Sequence, residues 1–280
     1  MRVNELVKKP TKDGLIGLEI ECEGDNLVEV DTHIWRSERD SSLKKANSYE
    51  YVLREPLPLS QLDNALSELK EIIDKHDGVI DESVRAGVHV HINVQDMELI
   101  HFFNLIVLYL TLEELLVSYC GNNRQGNLFC LRASDARYII ARIVSAIKAK
   151  KLPHLHTDEI RYASMNLKAL YQYGSVEFRA MRSTPDFGLI KTWACILAKL
   201  KESSSLFSSP EAVMWEVSDK GAVRFVEHVL GEYASIFLEK EDLEECARNG
   251  IDNAQDVAYC VSWSEYLKGS NNPFVKGTWL

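Results

Sequence analysis

A strict alternation of acidic and apolar residues in the segment GLEIECEG, residues 17–24, is the strongest constraint on how this chain folds. Period-two alternation is typical of a strand with one buried face, so Glu19, Glu21 and Glu23 share the other face. Carboxylates two positions apart lie about 6.6 Å apart, and their repulsion opposes folding unless cations, Arg side chains or water separate them. Mg²⁺, which takes oxygen ligands, is one such cation. The alternative is a solvent-facing edge strand.

A second alternating segment, GVHVHINV at 87–94, places His89, His91 and Asn93 on one strand face. Two imidazoles side by side suit zinc, or contact with a phosphate or a metal-bound nucleotide. Two structural histidines that find partners within the protein explain the pattern equally well.

Two further strand-like segments carry charged residues in apolar surroundings. In GSVEFRAM, Glu177 and Arg179 share a face, either as an ion pair or with the guanidinium acting as a planar phosphate clamp. In NSYEYVL, Glu50 lies among β-prone residues, where a buried carboxylate is costly unless a metal or an Arg contacts it. The segment RYASMNLKAL, just before GSVEFRAM, adds the polar residues Arg161 and Asn166. Alone, these two residues would indicate little.

Longer segments with helical periodicity separate these strands, an order typical of an α+β domain. We predict helices at 60–77, 97–119, 136–148 and 187–200. The second of them is the most apolar, but Glu113 and other polar residues interrupt it, which favours a core helix over a membrane span. The segment KESSSLFSSP predicts a boundary near residue 201, followed by several short acidic helices that begin with Ser209 as N-cap.

Charge and composition exclude several classes of protein. The chain has 32 basic and 42 acidic residues, a net charge of -10, which argues against a broad nucleic-acid-binding surface. We expect a cytoplasmic protein without membrane association, because no long uncharged apolar stretch and no apolar leader core is present. The six scattered cysteines are expected to be reduced. Since no glycine-rich phosphate loop occurs, a nucleotide would have to be held by metal and Arg.

Taken in order, six segments resemble the amidoligases, which are carboxylate–amine ligases related to glutamine synthetase and glutamate–cysteine ligase: GLEIECEG, RDSSL, YEYVLREPL, GVHVHINV, GNNRQGNLFC and RYASMNLKALYQYGSVEFRAMRSTPD. The resemblance spans roughly residues 15–193, and its specificity comes from the ordered set. It implies an α+β catalytic domain at 1–200, with a curved, mainly antiparallel β-sheet flanked by helices. The resemblance does not cover the rest of the chain, where the boundary near residue 201 and the excess of acidic residues predict a helical, acidic C-terminal extension at 201–280. The concave face of the sheet would hold ATP and two or more Mg²⁺ ions.

The resemblance also implies roles for single residues. The metal ligands would be the carboxylates Glu19, Glu21, Glu50 and Glu177. The arginines facing the transferred phosphate would be Arg179 and Arg182. The positions that contact the nucleotide would be His89, His91, Arg124, Arg161 and Asn166, together with Arg179. Asp40 would be catalytic, by binding the incoming amine or a metal, and Glu23 is an extra acid expected to face solvent.

The implied reaction is the ATP-dependent formation of an amide or peptide-like bond through an acyl phosphate that an amine displaces. The partners would be small-molecule or peptide carboxylates and amines, which no motif here selects, and a homo-oligomer is compatible with the sequence. Two other interpretations stay open. One is a zinc-dependent hydrolase built on His89 and His91. The other is a catalytically inactive ligase-like module that binds a nucleotide or a protein partner.

Overall fold

The computed structural model describes residues 1–7, 14–239 and 242–264. Its strands, in chain order, are β1 Ile16–Cys22, β2 Gly24–Asp25, β3 Trp35–Glu38, β4 Tyr49–Leu53, β5 Val79–Ile80, β6 Gly87–Asn93, β7 Met165–Asn166 and β8 Ser175–Arg182. Six of them form one sheet in the spatial order β3-β4-β1-β6-β8-β7, and each neighbouring pair is antiparallel. The predicted α+β class and the mainly antiparallel sheet are confirmed. The curvature of the sheet stays a prediction.

The helices lie close to the predicted positions. They are α1 Leu62–Lys75, α2 Leu99–Cys120, α3 Tyr138–Lys148, α4 Ala169–Tyr173, α5 Phe187–Ser203, α6 Pro210–Leu230, α7 Ser235–Leu238 and α8 Leu243–Ala258. Ser209 caps α6 as predicted, because its side chain accepts a hydrogen bond from the backbone N–H of Ala212. Several helices follow residue 201, as predicted, and the longest, α6, is interrupted at Gly221, where φ is +77° and the backbone is not helical, so that it consists of two shorter segments.

Alternation along the strands gives the sheet one apolar and one polar face. The apolar face consists of side chains that are almost fully buried, among them Ile16, Leu18, Ile20, Val88, Val90, Ile92, Val176 and Phe178. On the opposite face, here called the polar face, the pairing register places charged residues side by side. Glu19 is opposite His89, Glu21 is opposite Glu50, and His91 is opposite Glu177. Antiparallel pairing therefore brings together residues from four distant segments of the chain.

Helix α2 is the centre of the helical layer. In its most apolar 18-residue window, 89% of the residues are buried inside the protein, as expected for a core helix. Helix α8 crosses α2 so closely that a Cβ at Gly250 would overlap the carbonyl oxygen of Thr111. The buried apolar residues of 201–264 join those of the first 200 residues in one hydrophobic core.

Candidate functional site

Among the residues that the structure describes, three groups of side chains suited to holding a cation cross the polar face diagonally, from β8 to the segment after β3. In each group the ligand atoms lie within 4.8 Å of one another. The first cation group is Glu177, His91 and Glu19; the second is Glu19, His89 and Glu50; the third is Glu50, Glu21 and Asp40. Neighbouring groups share Glu19 and Glu50, so the three groups form one continuous row.

The two histidines contact opposite oxygens of Glu19. His91 Nε2 lies 3.3 Å from Glu19 Oε1, and His89 Nδ1 lies 3.2 Å from Glu19 Oε2. Burial opposes ionisation of Glu19, but the charge of His91 and the hydrogen bonds of both imidazoles outweigh it and hold the pKa of Glu19 well below its ordinary value. Burial also opposes the charging of His91, yet Glu19 and Glu177 raise the pKa of that imidazole. This part of the polar face therefore favours an ionised Glu19.

Glu177 is buried at the β8 end of the row and is oriented from two sides. Its carboxylate accepts hydrogen bonds from Asn166 Nδ2, at 2.6 Å, and from Arg179 Nη1. Burial would raise the pKa of Glu177, but Arg179 and His91 outweigh burial and lower it. The guanidinium of Arg179 lies 6.0 Å from the ring of Tyr162. A buried, charged pair thus stands where β7 and β8 meet.

The opposite end of the row is dominated by repulsion between carboxylates. Burial, with the charges of Glu19 and Glu21, raises the pKa of Glu50 to about 8. Glu21 is held by the backbone N–H of Gly87, which donates to its Oε2 at 2.8 Å. Asp40 accepts a hydrogen bond of 2.7 Å from the N–H of Ser42, so its carboxylate is fixed by its own turn. These carboxylates are close enough to share cations.

Glu23 does not face solvent, so the expectation for this residue is wrong. It is 7% exposed, and its Oε1 accepts a hydrogen bond of 2.6 Å from the backbone N–H of Lys44. Its Oε2 accepts from the hydroxyl of Ser83. Because these bonds tie the turn after β3 to the end of β1, Glu23 helps to position the loop that carries Asp40.

The donor atoms of the row fit divalent cations. His91 Nε2 is buried and lies 3.3 Å from Glu19 Oε1, and both residues belong to the first cation group. An imidazole nitrogen and a carboxylate oxygen at this separation can bind one cation together. The third cation group offers only carboxylate oxygens, which suits a hard ion such as Mg²⁺.

Three of the predicted arginines lie outside the row. Arg124 is fully buried, and its guanidinium donates to the backbone carbonyls of Ala180, Ala86 and Arg179 at 3.1, 3.4 and 2.9 Å. It thus holds the ends of β6 and β8 together.

Arg182 and Arg161 lie at the margins of this region. A register shift between Val88 and Val90 places Arg182 opposite Gly87, and its Nη1 donates to the carbonyl of Cys120 at 3.0 Å. Arg161 is exposed and lies 5.3 Å from the ring of Tyr162. The guanidiniums of Arg161 and Arg179 therefore both lie near the ring of Tyr162. Roles for Arg124, Arg161 and Arg182 toward a nucleotide stay predictions.

The polar face also contains a cavity that sequence reasoning missed. It has a volume of about 380 Å³, opens beside Glu19 and His91, and is lined in part by Gln95, Tyr173 and Ser175. Ser175 continues the alternation of Glu177 along β8, a signal that was available in the sequence. Gln95 and Tyr173 come from segments that only the fold brings together.

Comparison with known proteins identifies the family of the chain. A family model described as a putative amidoligase enzyme matches residues 24–200, nearly two thirds of the chain. The match begins after Glu19 and Glu21 and includes the other members of the row. A search of curated proteins found no match. The chain belongs to the amidoligase family.

Proposed function

We propose that this chain is an ATP-dependent, Mg²⁺-requiring carboxylate–amine ligase that forms an amide or peptide-like bond. The proposal is carried by the row of three cation groups, which shares Glu19 and Glu50 and has Arg179 at one end. Transfer of a phosphoryl group uses adjacent cations that contact phosphate oxygens and a guanidinium that offsets developing charge. Family membership supports the ligase class.

The proposed roles follow from the contacts within the row. The carboxylates would hold Mg²⁺, which when bound supplies positive charge to the oxygens of the transferring phosphate. Arg179 adds a fixed positive charge next to Glu177. Asn166 and His91 keep Glu177 and Glu19 in position through their hydrogen bonds and charges. All these side chains stand on one sheet face, so little rearrangement is required on binding.

The chemistry must overcome the low reactivity of a carboxylate toward an amine. In the proposed first step a carboxylate oxygen attacks the γ-phosphorus of ATP, the bond to the ADP oxygen breaks, and an acyl phosphate forms. The amine nitrogen then attacks the acyl carbon, the bond to phosphate breaks, and the nitrogen loses a proton. Arg179 would offset charge on the phosphoryl group. Asp40, beside Glu21 and Glu50, is the proposed contact for the incoming amine.

A zinc hydrolase is the second candidate, because catalytic zinc sites combine histidines and a carboxylate with one open position. The first two cation groups each contain one imidazole and two carboxylates. Within the described part of the chain, no group contains both His89 and His91. The paired histidines therefore divide between two positions, which favours the ligase over a hydrolase with one zinc ion bound by both.

The test is the thermal stability of the full chain with Mg²⁺ alone, ATP alone, and both. Binding to the folded state stabilises it by about 2.7 kcal/mol at a ligand concentration 100 times the dissociation constant. We expect the largest increase with Mg²⁺ and ATP together, and its loss in the Glu19→Gln, Glu21→Gln double variant. A matched variant, Glu71→Gln with Glu244→Gln, changes two exposed helical carboxylates and should keep the increase.

The alternatives give different results. Stoichiometric zinc in the purified protein, with no response to Mg²⁺ and ATP, would support the hydrolase. A response to ATP without ADP release for any carboxylate and amine pair would support the inactive module.

A further inference from the structure

Arg85 continues the polar alternation of β6 one step beyond the start of the strand. It precedes Gly87 by two residues and His89 by four, so the pleat places its side chain on the polar face. The ladder between β6 and β8 extends past Gly87, because the backbone N–H of Ser183 donates to the carbonyl of Ala86 at 3.3 Å. The strand periodicity therefore still holds at Arg85, which is half-buried.

The contacts of Arg85 connect it to both ends of the row. Its Nη1 lies 3.4 Å from the carbonyl oxygen of Ser42, the residue whose N–H holds Asp40 of the third cation group. Its guanidinium lies 5.6 Å from the centre of the Phe129 ring, a contact that favours one orientation of the guanidinium. The carbonyl of Phe129 accepts a hydrogen bond of 3.3 Å from Arg179 Nε. Phe129 thus contacts two arginines, Arg85 with its ring and Arg179 with its backbone.

Arg85 keeps most of its hydrogen-bond donors for a ligand. Within the described part of the chain it forms no ion pair with a carboxylate, and its contact with Ser42 is long and involves one nitrogen. The other arginines near this end of the sheet donate to backbone carbonyls, namely Arg39, Arg124 and Arg182. Arg85 is therefore placed to bind an anion, whereas these three support the backbone.

The arginines at the other end of the sheet already have carboxylate partners. The cavity of about 380 Å³ lies there, where β1 and β8 begin and β4 ends, and Arg36 and Arg54 line it. Arg36 pairs with Glu38 at 2.9 Å, and Arg54 pairs with Asp31. A polyphosphate carries several negative charges and is bound best where guanidiniums are available to offset them. The distribution of charge therefore favours the end of the sheet at which Arg85 lies.

We propose that Arg85 binds a phosphate of the nucleotide, and that the phosphates of ATP lie at the Arg85 end of the sheet, between Arg85 and Arg179. The guanidinium of Arg85 would donate to phosphate oxygens while the carboxylates of the row hold Mg²⁺. This inference rests on the proposed ligase function. It adds a ligand-binding residue from outside the segments that resemble the amidoligases.

The test is a calorimetric titration of the full chain with a non-hydrolysable ATP analogue in the presence of Mg²⁺. We expect Arg85→Gln to bind the analogue at least tenfold more weakly than wild type, because a charge-assisted hydrogen bond to phosphate is lost. The titration is repeated at increasing NaCl concentrations. The affinity of wild type should fall more steeply with salt than that of Arg85→Gln, since the variant makes one charge contact fewer. A purely structural role for Arg85 would not change this dependence.

Two further variants serve as controls. Arg54→Gln makes the same substitution at the cavity end of the sheet and should bind the analogue as wild type does. Arg85→Lys keeps the positive charge but not the planar set of donors, so it should recover part of the lost affinity. Urea unfolding curves of Arg85→Gln and wild type should nearly coincide, because no ion pair among the described residues is broken. If Arg85→Gln folds poorly, Arg85→Lys and the dependence of its affinity on salt decide the question.

Equal affinity of wild type and Arg85→Gln for the analogue would overturn the role of Arg85 and leave the ligase function standing. Weaker binding by Arg54→Gln, to the same degree as by Arg85→Gln, would also overturn it, because the phosphates would not be confined to the Arg85 end. A wild-type chain that does not bind the analogue with Mg²⁺ would reject the proposed ligase function itself, and the role of Arg85 with it.

Discussion

Replacing Glu50 by Gln should stabilise the metal-free protein at pH 8.5 and change its stability little at pH 5. The pKa of Glu50 rises from its ordinary value of 4.5 to about 8 in the folded protein. Between these values the folded state keeps a proton that the unfolded state has released, so stability is lost as the pH rises through this range. Gln has no proton to lose, and the penalty disappears in the variant.

The size of the effect follows from the shift. At 1.36 kcal/mol per pH unit, the difference between 4.5 and about 8 corresponds to an upper bound of about 5 kcal/mol. Glu50 is half-buried, so solvent reduces this value, and we expect roughly 2–3 kcal/mol at pH 8.5. For a protein of this size that is roughly 5 °C or more in Tm. With Mg²⁺ present, wild type should be more stable than Glu50→Gln. Only wild type keeps the Glu50 carboxylate, which two cation groups share and through which the ion would bind.

The assay is urea unfolding followed by circular dichroism, at pH 5 and 8.5, with EDTA and then with Mg²⁺. Glu71→Gln, on the exposed side of α1, is the matched control and should behave as wild type at both pH values. An equal difference between wild type and Glu50→Gln at both pH values would refute the electrostatic explanation. The explanation would also be refuted if Glu50→Gln were less stable than wild type at pH 8.5 in EDTA.

Two other substitutions test separate roles, that of Arg179 as a positive charge next to the row and that of Arg124 as a support for the sheet. Arg179→Ala should reduce turnover about 10³-fold or more, and it should lower the urea unfolding free energy by roughly 3 kcal/mol, because Glu177 stays buried without its cation. Unchanged turnover would remove Arg179 from the mechanism. Arg124→Met should lower the unfolding free energy by about 3 kcal/mol, since three backbone carbonyls lose a donor. Arg137→Met, at an exposed arginine, is the control and should leave the unfolding free energy unchanged. Equal unfolding curves for wild type and Arg124→Met would contradict the support role of Arg124.

The row was predictable because strand periodicity is local. Once Glu19 and Glu21 alternate with apolar residues, their shared face follows from the pleat alone. The same holds for His89 and His91. Which strands become neighbours depends on contacts far apart in sequence, so the meeting of Glu21 with Glu50, and of His91 with Glu177, came from the resemblance and from the fold.

The hydrogen-bond partners of buried polar residues could not be predicted from the sequence for the same reason. Glu113 interrupts an apolar helix, and nothing local shows that burial raises its pKa to about 7. Its carboxylate accepts from the N–H of Ala133 at 2.7 Å and from the hydroxyl of Ser164, 51 residues away. Arg124 is similar: a loop guanidinium looks the same in sequence whether it contacts phosphate or, as here, backbone carbonyls.

The close crossing of α2 and α8 also bears on how the protein is made. Helix α2 leaves the ribosome long before α8, which covers it, because Ala258 follows Cys120 by about 140 residues. At 5–20 residues per second this is roughly 7–28 s of synthesis. During that interval the surface around Thr111 faces water or a chaperone. Substitutions at Gly250 would keep α8 from closing over this surface. They should therefore lower the yield of soluble nascent protein, although Gly250 lies far from the polar face.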